Sequence, residues 1–286
     1  MDLNVIDFEK QFEKHLKEWM AKNREKYPKP EQMEAQVEGV YERWLNSPAP
    51  WLNGATPMNY FEQFNDAGQL VRWMLRYITA GVWVPDPMLD RIVSLGKDSE
   101  ELLLKIKRRE TPLPAGDRGD EAVVLAIKLL NEIGSVQPME EYIDAIEKSP
   151  ENDYAESMAE ALQAMGDAVV EPILKRMDKP LDPQAVEWFL NVLVEFPGDK
   201  RIFNKLLSAY RSAESDKSVL AAYLGKYGNA DAIPTLREAL EDGMLNYLEW
   251  TETRNAIEEL GGEVNIPEPD FSGDPWFESL KFVDHK

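Results

Sequence analysis

Glycine recurs along the last two-thirds of this 286-residue chain at near-constant spacing, and that regularity constrains the fold more than any other feature. Gly96, Gly134, Gly166, Gly198, Gly228 and Gly261 lie 38, 32, 32, 30 and 33 residues apart. Before them run amphipathic segments of helix length, among them residues 121–133, 155–165, 184–196 and 218–227. After most of them an acid or small polar residue opens a second segment, as over residues 98–109, 167–177, 199–211 and 231–241. Glycine adopts the left-handed backbone that ends a helix, and an aspartate caps the next. A pair of short helices cannot bury its apolar face alone, so neighbouring pairs must stack. The pattern predicts an all-α chain whose residues 86–264 form an α-α superhelix.

The residues around two of these glycines carry a family resemblance. Asp167-Ala-Val-Val-Glu-Pro-Ile-Leu and Asp231-Ala-Ile-Pro-Thr-Leu resemble the start of the second helix of HEAT-type repeats. Ala161-Leu-Gln-Ala-Met-Gly and Leu224-Gly-Lys-Tyr-Gly-Asn are similar to the end of the first helix. The resemblance covers about residues 88 to 263, is strongest in those two repeats, and implies a HEAT-like solenoid. Pro197 beside Gly198 departs from the pattern, and Gly96 and Gly134 match it least. Such a motif encodes turns and packing, not chemistry.

Residues 1–85 predict an N-terminal helical bundle. Phe8, Phe12, Leu16, Trp19 and Met20 share one face of a helix over residues 7–26, which Pro28 and Pro30 stop. A second helix is expected over residues 31–45, with Met33, Val37, Val40, Tyr41, Trp44 and Leu45 as its stripe. Residues 47–57 form a loop, and Thr56-Pro57 predicts a helix start. Asp66, with Gln69 three residues on, reads as a capping box for a helix carrying Leu70, Trp73, Met74, Tyr77 and Ile78 to Gly81. The stretch from Arg43 to Pro57 also resembles the toxin-binding segment of certain bacterial antitoxins, which would make residues 40–81 a binding module. Trp51 departs from the small residue that resemblance would place there. Residues 265–286 join three prolines to Phe271, Trp276, Phe277 and Phe282, and predict a tail capping the last repeat.

Charge bears on partners. Lys and Arg total 32 against 53 Asp and Glu, a net charge of −21. Nucleic-acid binding draws its affinity from cations that displace phosphate counterions, so no nucleic acid is expected, and the same field repels anionic membranes. The acids either solvate helix faces or steer a protein or peptide partner bearing a basic patch. Without cysteine there are no disulfides or thiolate sites. The first residues resemble no secretory signal, and no apolar run is membrane-length, so a cytoplasmic location is expected.

Catalytic motifs are lacking. His15 and His285 are the only histidines, and no phosphate loop, H-E-x-x-H or G-x-S-x-G occurs. Glu156 and Glu160 share a helix face, as chance allows in so acidic a chain. Arg118-Gly119-Asp120 would matter only outside the cell. Of eight tryptophans, Trp19, Trp44, Trp73, Trp188 and Trp250 sit at positions that read as buried. Trp51 and Trp83 lie in or beside Pro/Gly loops, where a ring could anchor a partner; both are candidate partner-binding residues. The expected function is a non-catalytic protein–protein interaction scaffold using the concave, acidic face of the array. The alternatives are an enzyme or accessory subunit with an acidic or Trp-lined pocket, and an antitoxin-like module at residues 40–81. No cofactor, metal or catalytic residue is indicated, and oligomeric state stays open.

Overall fold

The computed structural model describes residues 4–213 and 217–281, and among them the backbone forms sixteen α-helices, short 3-10 turns and no strand. Phe282 and His285 lie outside the described residues. All six periodic glycines take positive φ, from 54° at Gly96 to 104° at Gly198, so the spacing does mark helix ends. The chain divides into two compact units, Met1–Val136 and Gln137–Lys286.

The first unit contains α1 (Phe8–Asn23), α2 (Pro30–Glu34), α3 (Val37–Leu45), α4 (Ala67–Ala80), α5 (Asp86–Ser94), α6 (Lys97–Lys107) and α7 (Asp117–Ile133). The helix expected over 31–45 is broken: Ala35 and Gln36 donate to the carbonyls of Glu31 and Met33 and turn the chain. At Thr56 the cap forms, its hydroxyl accepting from the Asn59 N–H at 3.3 Å. Only a 3-10 turn over Tyr60–Gln63 follows, since Asp66 starts α4 a few residues later. The buried stripe of α4, with Leu70, Trp73, Met74, Tyr77 and Ile78, is central to this unit. It shares one continuous core with Phe8, Trp44 and Phe61 before it and with Met88, Ile92, Leu103, Ile106 and Leu130 after it. The first unit therefore runs on through α5, α6 and α7, which pack on α4, to Val136.

The second unit opens with α8 (Met139–Lys148). Three helix pairs follow: α9 (Ala155–Ala164) with α10 (Val170–Arg176), α11 (Pro183–Leu193) with α12 (Lys200–Ser212), and α13 (Lys217–Tyr227) with α14 (Ile233–Asp242). Then come α15 (Tyr247–Glu259) and α16 (Pro275–Lys281). Polar ladders join each pair to the next. Gln163 of α9 donates to Asn191 of α11 at 3.0 Å, and Asn191 donates to the Tyr223 hydroxyl of α13 at 2.9 Å. Those bonds span 28 and 32 residues, one repeat each. On the second helices Arg176 meets Glu140 at 3.1 Å, Asp144 at 2.6 Å and Glu147, while Arg201 meets Glu171. Below the ladders lie buried Leu162, Ile173, Phe189, Leu193, Ile202, Leu206, Leu224 and Leu236. This is the stacking of an all-α, HEAT-like solenoid.

Aspartate caps fewer helices than the pattern implies. Asp199 accepts from the Arg201 N–H at 2.8 Å and opens α12. Asp98, by contrast, lies within the first turn of α6. Asp167 and Asp231 lie inside 3-10 turns, where Asn229 does the capping for Asp231. After α15, Phe271 is buried against Tyr247 and Trp250, at ring separations of 5.3 and 6.0 Å. The Asp274 carboxylate accepts from the Tyr247 N–H at 3.1 Å and from the Phe277 and Trp276 N–H groups, and these backbone bonds hold its carboxyl below the ordinary range.

Candidate functional site

The surface around Trp83 is assembled by α4. Its Trp73 indole donates to the Asn4 carbonyl at 3.0 Å. Its Tyr77 hydroxyl donates to the Ile6 carbonyl at 3.0 Å and accepts from the Ile6 N–H at 3.1 Å. Burial, partly offset by the Ile6 backbone, pushes the Tyr77 phenol up to about 12, so it remains a donor at neutral pH. Residues 4–6 are thereby pinned, and Asp7 caps α1 through the Lys10 N–H at 2.8 Å. Phe12 of α1 then meets Tyr41 and Trp44 of α3 at ring separations of 4.8 and 5.3 Å.

The opposite wall follows from how α4 ends. Gly81 takes φ 65°, and the Val82 N–H returns to the Tyr77 carbonyl at 3.1 Å. Four residues later Pro85 starts α5, its carbonyl accepting from Met88 at 2.8 Å. The short link between these two fixed points holds the Trp83 side chain outward, 78% exposed.

Between the walls lies a groove of about 310 Å³. It is lined by Phe8, Phe12, Tyr41 and Trp44 of α1 and α3 and by Trp83, Val84, Pro85 and Pro87 of the link into α5 and its first turn, together with the acids Glu9 and Asp86. Among the described residues no Lys or Arg lines it. Neither carboxylate makes an ion pair among the described residues. The Tyr41 phenol is raised by burial and then by the negative charge of Asp86, which places that carboxylate in the field of the ring. The arrangement offers ring faces and negative charge together, with no nucleophile–base pair.

Trp51 has a different setting. It is half-buried, edge-on to Phe8 at 5.2 Å and nearly parallel to Trp44 at 6.3 Å, so its ring is occupied in packing. Trp44, Trp73 and Trp250 are buried; Trp19 and Trp188 are half-buried, the latter donating to the Pro150 carbonyl at 3.0 Å. Arg118-Gly119-Asp120 lies in the first turn of α7, where Arg118 donates to the Thr79 carbonyl and Asp120 pairs with Arg109.

In the second unit a larger groove of about 710 Å³ runs along the second helices α10 and α12, with Glu140 of α8 at its edge. Its charges are largely matched: Arg201 pairs with Glu171, and Lys205 with Asp178 at 3.3 Å. Asn204 and Ser208 stand exposed in it. A third, more apolar cavity of about 590 Å³ involves Val186, Leu190, Ala209 and Leu220. Residues 137–286 hold 31 acids against 14 Lys and Arg, and residues 1–136 hold 22 against 18. The acidic surplus thus belongs to the second unit, yet α12 carries four cations and no acid. Among the described residues no group of three or more His, Cys, Asp or Glu could hold a metal ion. No helix there is long and apolar enough to cross a membrane.

Sequence reasoning singled out Trp83 but missed Glu9, Phe12, Tyr41 and Asp86 as its neighbours. They come from three separate segments, and no spacing rule links them. The inter-repeat ladder had a readable signal, because Gln163, Asn191 and Tyr223 follow one another at 28 and 32 residues, close to the glycine spacing.

The family model described as PBS lyase HEAT-like repeat matches residues 218–242, which are α13, the turn at Gly228 and α14. No curated protein and no solved structure matches the chain. The match falls on one of the two repeats in which the HEAT resemblance is strongest.

Proposed function

We propose that this HEAT-like helical repeat protein is a non-catalytic scaffold that docks a protein partner on the second-helix surface of its repeats. The observation that carries the reading is the repeat itself, matched at residues 218–242 and propagated through stacked pairs tied by inter-repeat ladders. Stacked repeats offer a long, rigid surface, the usual requirement for docking without large ordering costs. The groove along α10 and α12 has exposed polar side chains at Asn204 and Ser208 between paired charges, a composition suited to a polar rim. The excess acid of residues 137–286 supplies long-range attraction for a partner with a basic patch, and the local contacts then select it. In this reading residues 265–281 close the last pair.

Site-specific photocrosslinking tests the idea. A benzophenone side chain at Asn204 or Ser208 should capture a discrete protein in native lysate, with yield falling as salt rises from about 50 to 300 mM. The same probe at Trp276 should not. Equal labelling from all three positions, or none from the groove, would sink the reading.

A further inference from the structure

We propose that the groove beside Trp83 binds the cationic side chain of a basic segment of a protein partner, an arginine or lysine held between aromatic rings and two carboxylates. The surface belongs to the first unit and does not depend on the repeat surface.

Two independent features point to a cation. Half-buried Phe12 and Tyr41 line the groove with the exposed Trp83, and the faces of such rings carry the negative lobe of the aromatic quadrupole. The polar groups around them are acidic: Glu9 and Asp86 are exposed, and among the described residues no basic side chain lines the groove to neutralise them. Elsewhere on this molecule facing charges are matched, as Arg176 and Arg201 show. Both carboxylates also lie in first turns of helices, where the helix dipole favours an acid. That accounts for an acid at each place, but not for the exposed Trp83 ring and the half-buried Phe12 and Tyr41 rings that line the same groove.

Size and exposure favour a side chain from a larger chain over a free metabolite. At about 310 Å³ the groove is at the small end of ligand sites. It is open, so it could not enclose most of a small molecule. Trp83, followed by Pro85 and Pro87, is exposed as an aromatic anchor of a docking site would be. A planar guanidinium can stack on the Trp83 face while its edge reaches the Asp86 carboxylate.

The test uses the full chain, labelled with nitrogen-15, and follows the indole N–H signals of Trp44 and Trp83. The probe is the blocked peptide Gly-Gly-Arg-Gly-Gly, compared with the same peptide carrying citrulline, a neutral isostere of arginine. Saturable shifts are expected for the arginine peptide, with a dissociation constant on the order of 1 mM. Citrulline should weaken binding about tenfold, as should Trp83→Ala read on Trp44. Asp86→Asn and Glu9→Gln should each weaken it about threefold. Equal shifts with arginine and citrulline, no saturation, or an unchanged response in Trp83→Ala would overturn the proposal. Tetramethylammonium binding more tightly than the peptide would also overturn it, moving the occupant to a small molecule. Because crosslinking at Asn204 and Ser208 reads the other unit, either reading can fail without the other.

Discussion

Replacing Gly225 with alanine should destabilise the protein, although the same change on an open helix face stabilises it. Gly225 lies within α13 where α15 passes close by. A Cβ at this position would lie 3.1 Å from the Ala256 Cα and 3.2 Å from its Cβ, and would overlap the Glu259 carboxylate. Carbon contacts settle at about 3.5–4.0 Å, so α15 must withdraw by about 0.5 Å. Glu259 is exposed and can swing into water; the backbone at Ala256 cannot. Withdrawal loosens a face made of buried Ala221, Leu224, Thr253 and Ile257. Overfilling such a face costs about 1–3 kcal/mol, against about 1 kcal/mol of improved helix propensity. The net expectation is a loss of about 1 kcal/mol for Gly225→Ala, and about 2 kcal/mol or more for the bulkier Gly225→Val. Gly39 of α3 is the control, since a Cβ there meets only the mobile end of Arg43, at 3.3 Å. Gly39→Ala should gain up to about 1 kcal/mol. Urea unfolding followed by circular dichroism reads both. A change of 1 kcal/mol moves the midpoint by about 0.5 M when the slope is about 2 kcal/mol/M. If Gly225→Ala raised the midpoint as Gly39→Ala does, the close approach of the two helices would be refuted.

Two further predictions concern the ties between repeats. Arg176→Met removes the cation shared by Glu140, Asp144 and Glu147, and should cost about 1 kcal/mol at low salt, less in 1 M NaCl. Hydrogen bonds from Lys148 and then Arg176 hold the Asp144 carboxyl below its ordinary value, so its contribution is present above that value and lost as acid protonates the folded form. The stability difference between wild type and variant should therefore stay level from about pH 5 to 8 and shrink below about pH 4, as urea titrations at each pH will report. Tyr210 and Thr253 share a buried hydrogen bond of 3.0 Å between α12 and α15. Tyr210→Phe and Thr253→Val should each cost about 1–2 kcal/mol, and the double variant clearly less than their sum. Strict additivity would mean that the bond contributes nothing.

Much of the architecture is carried by local chemistry and could be read along the chain. Positive φ is cheap only for glycine, so six glycines at a common interval announce six helix ends before any contact is known. Helix type likewise follows from apolar spacing, as at Leu70, Trp73, Met74, Tyr77 and Ile78. Cap identity was less legible, because Asp serves equally as a cap and as a first-turn acid. Asp199 stands just before α12 in extended backbone, whereas Asp98 is already inside the first turn of α6.

What only tertiary structure decided is which residues distant in the chain meet. Trp51 and Trp83 sit in similar Pro-rich loops, yet Phe8 and Trp44 pack on the first while the second stays exposed. The boundary between units was equally hidden, because the stripe of α4 says that it must be buried but not by which helices. Periodicity constrains a residue through neighbours a few positions away. Burial, groove shape and the gathering of Glu9, Tyr41 and Asp86 depend on contacts across tens of residues, set by the packing of whole helices.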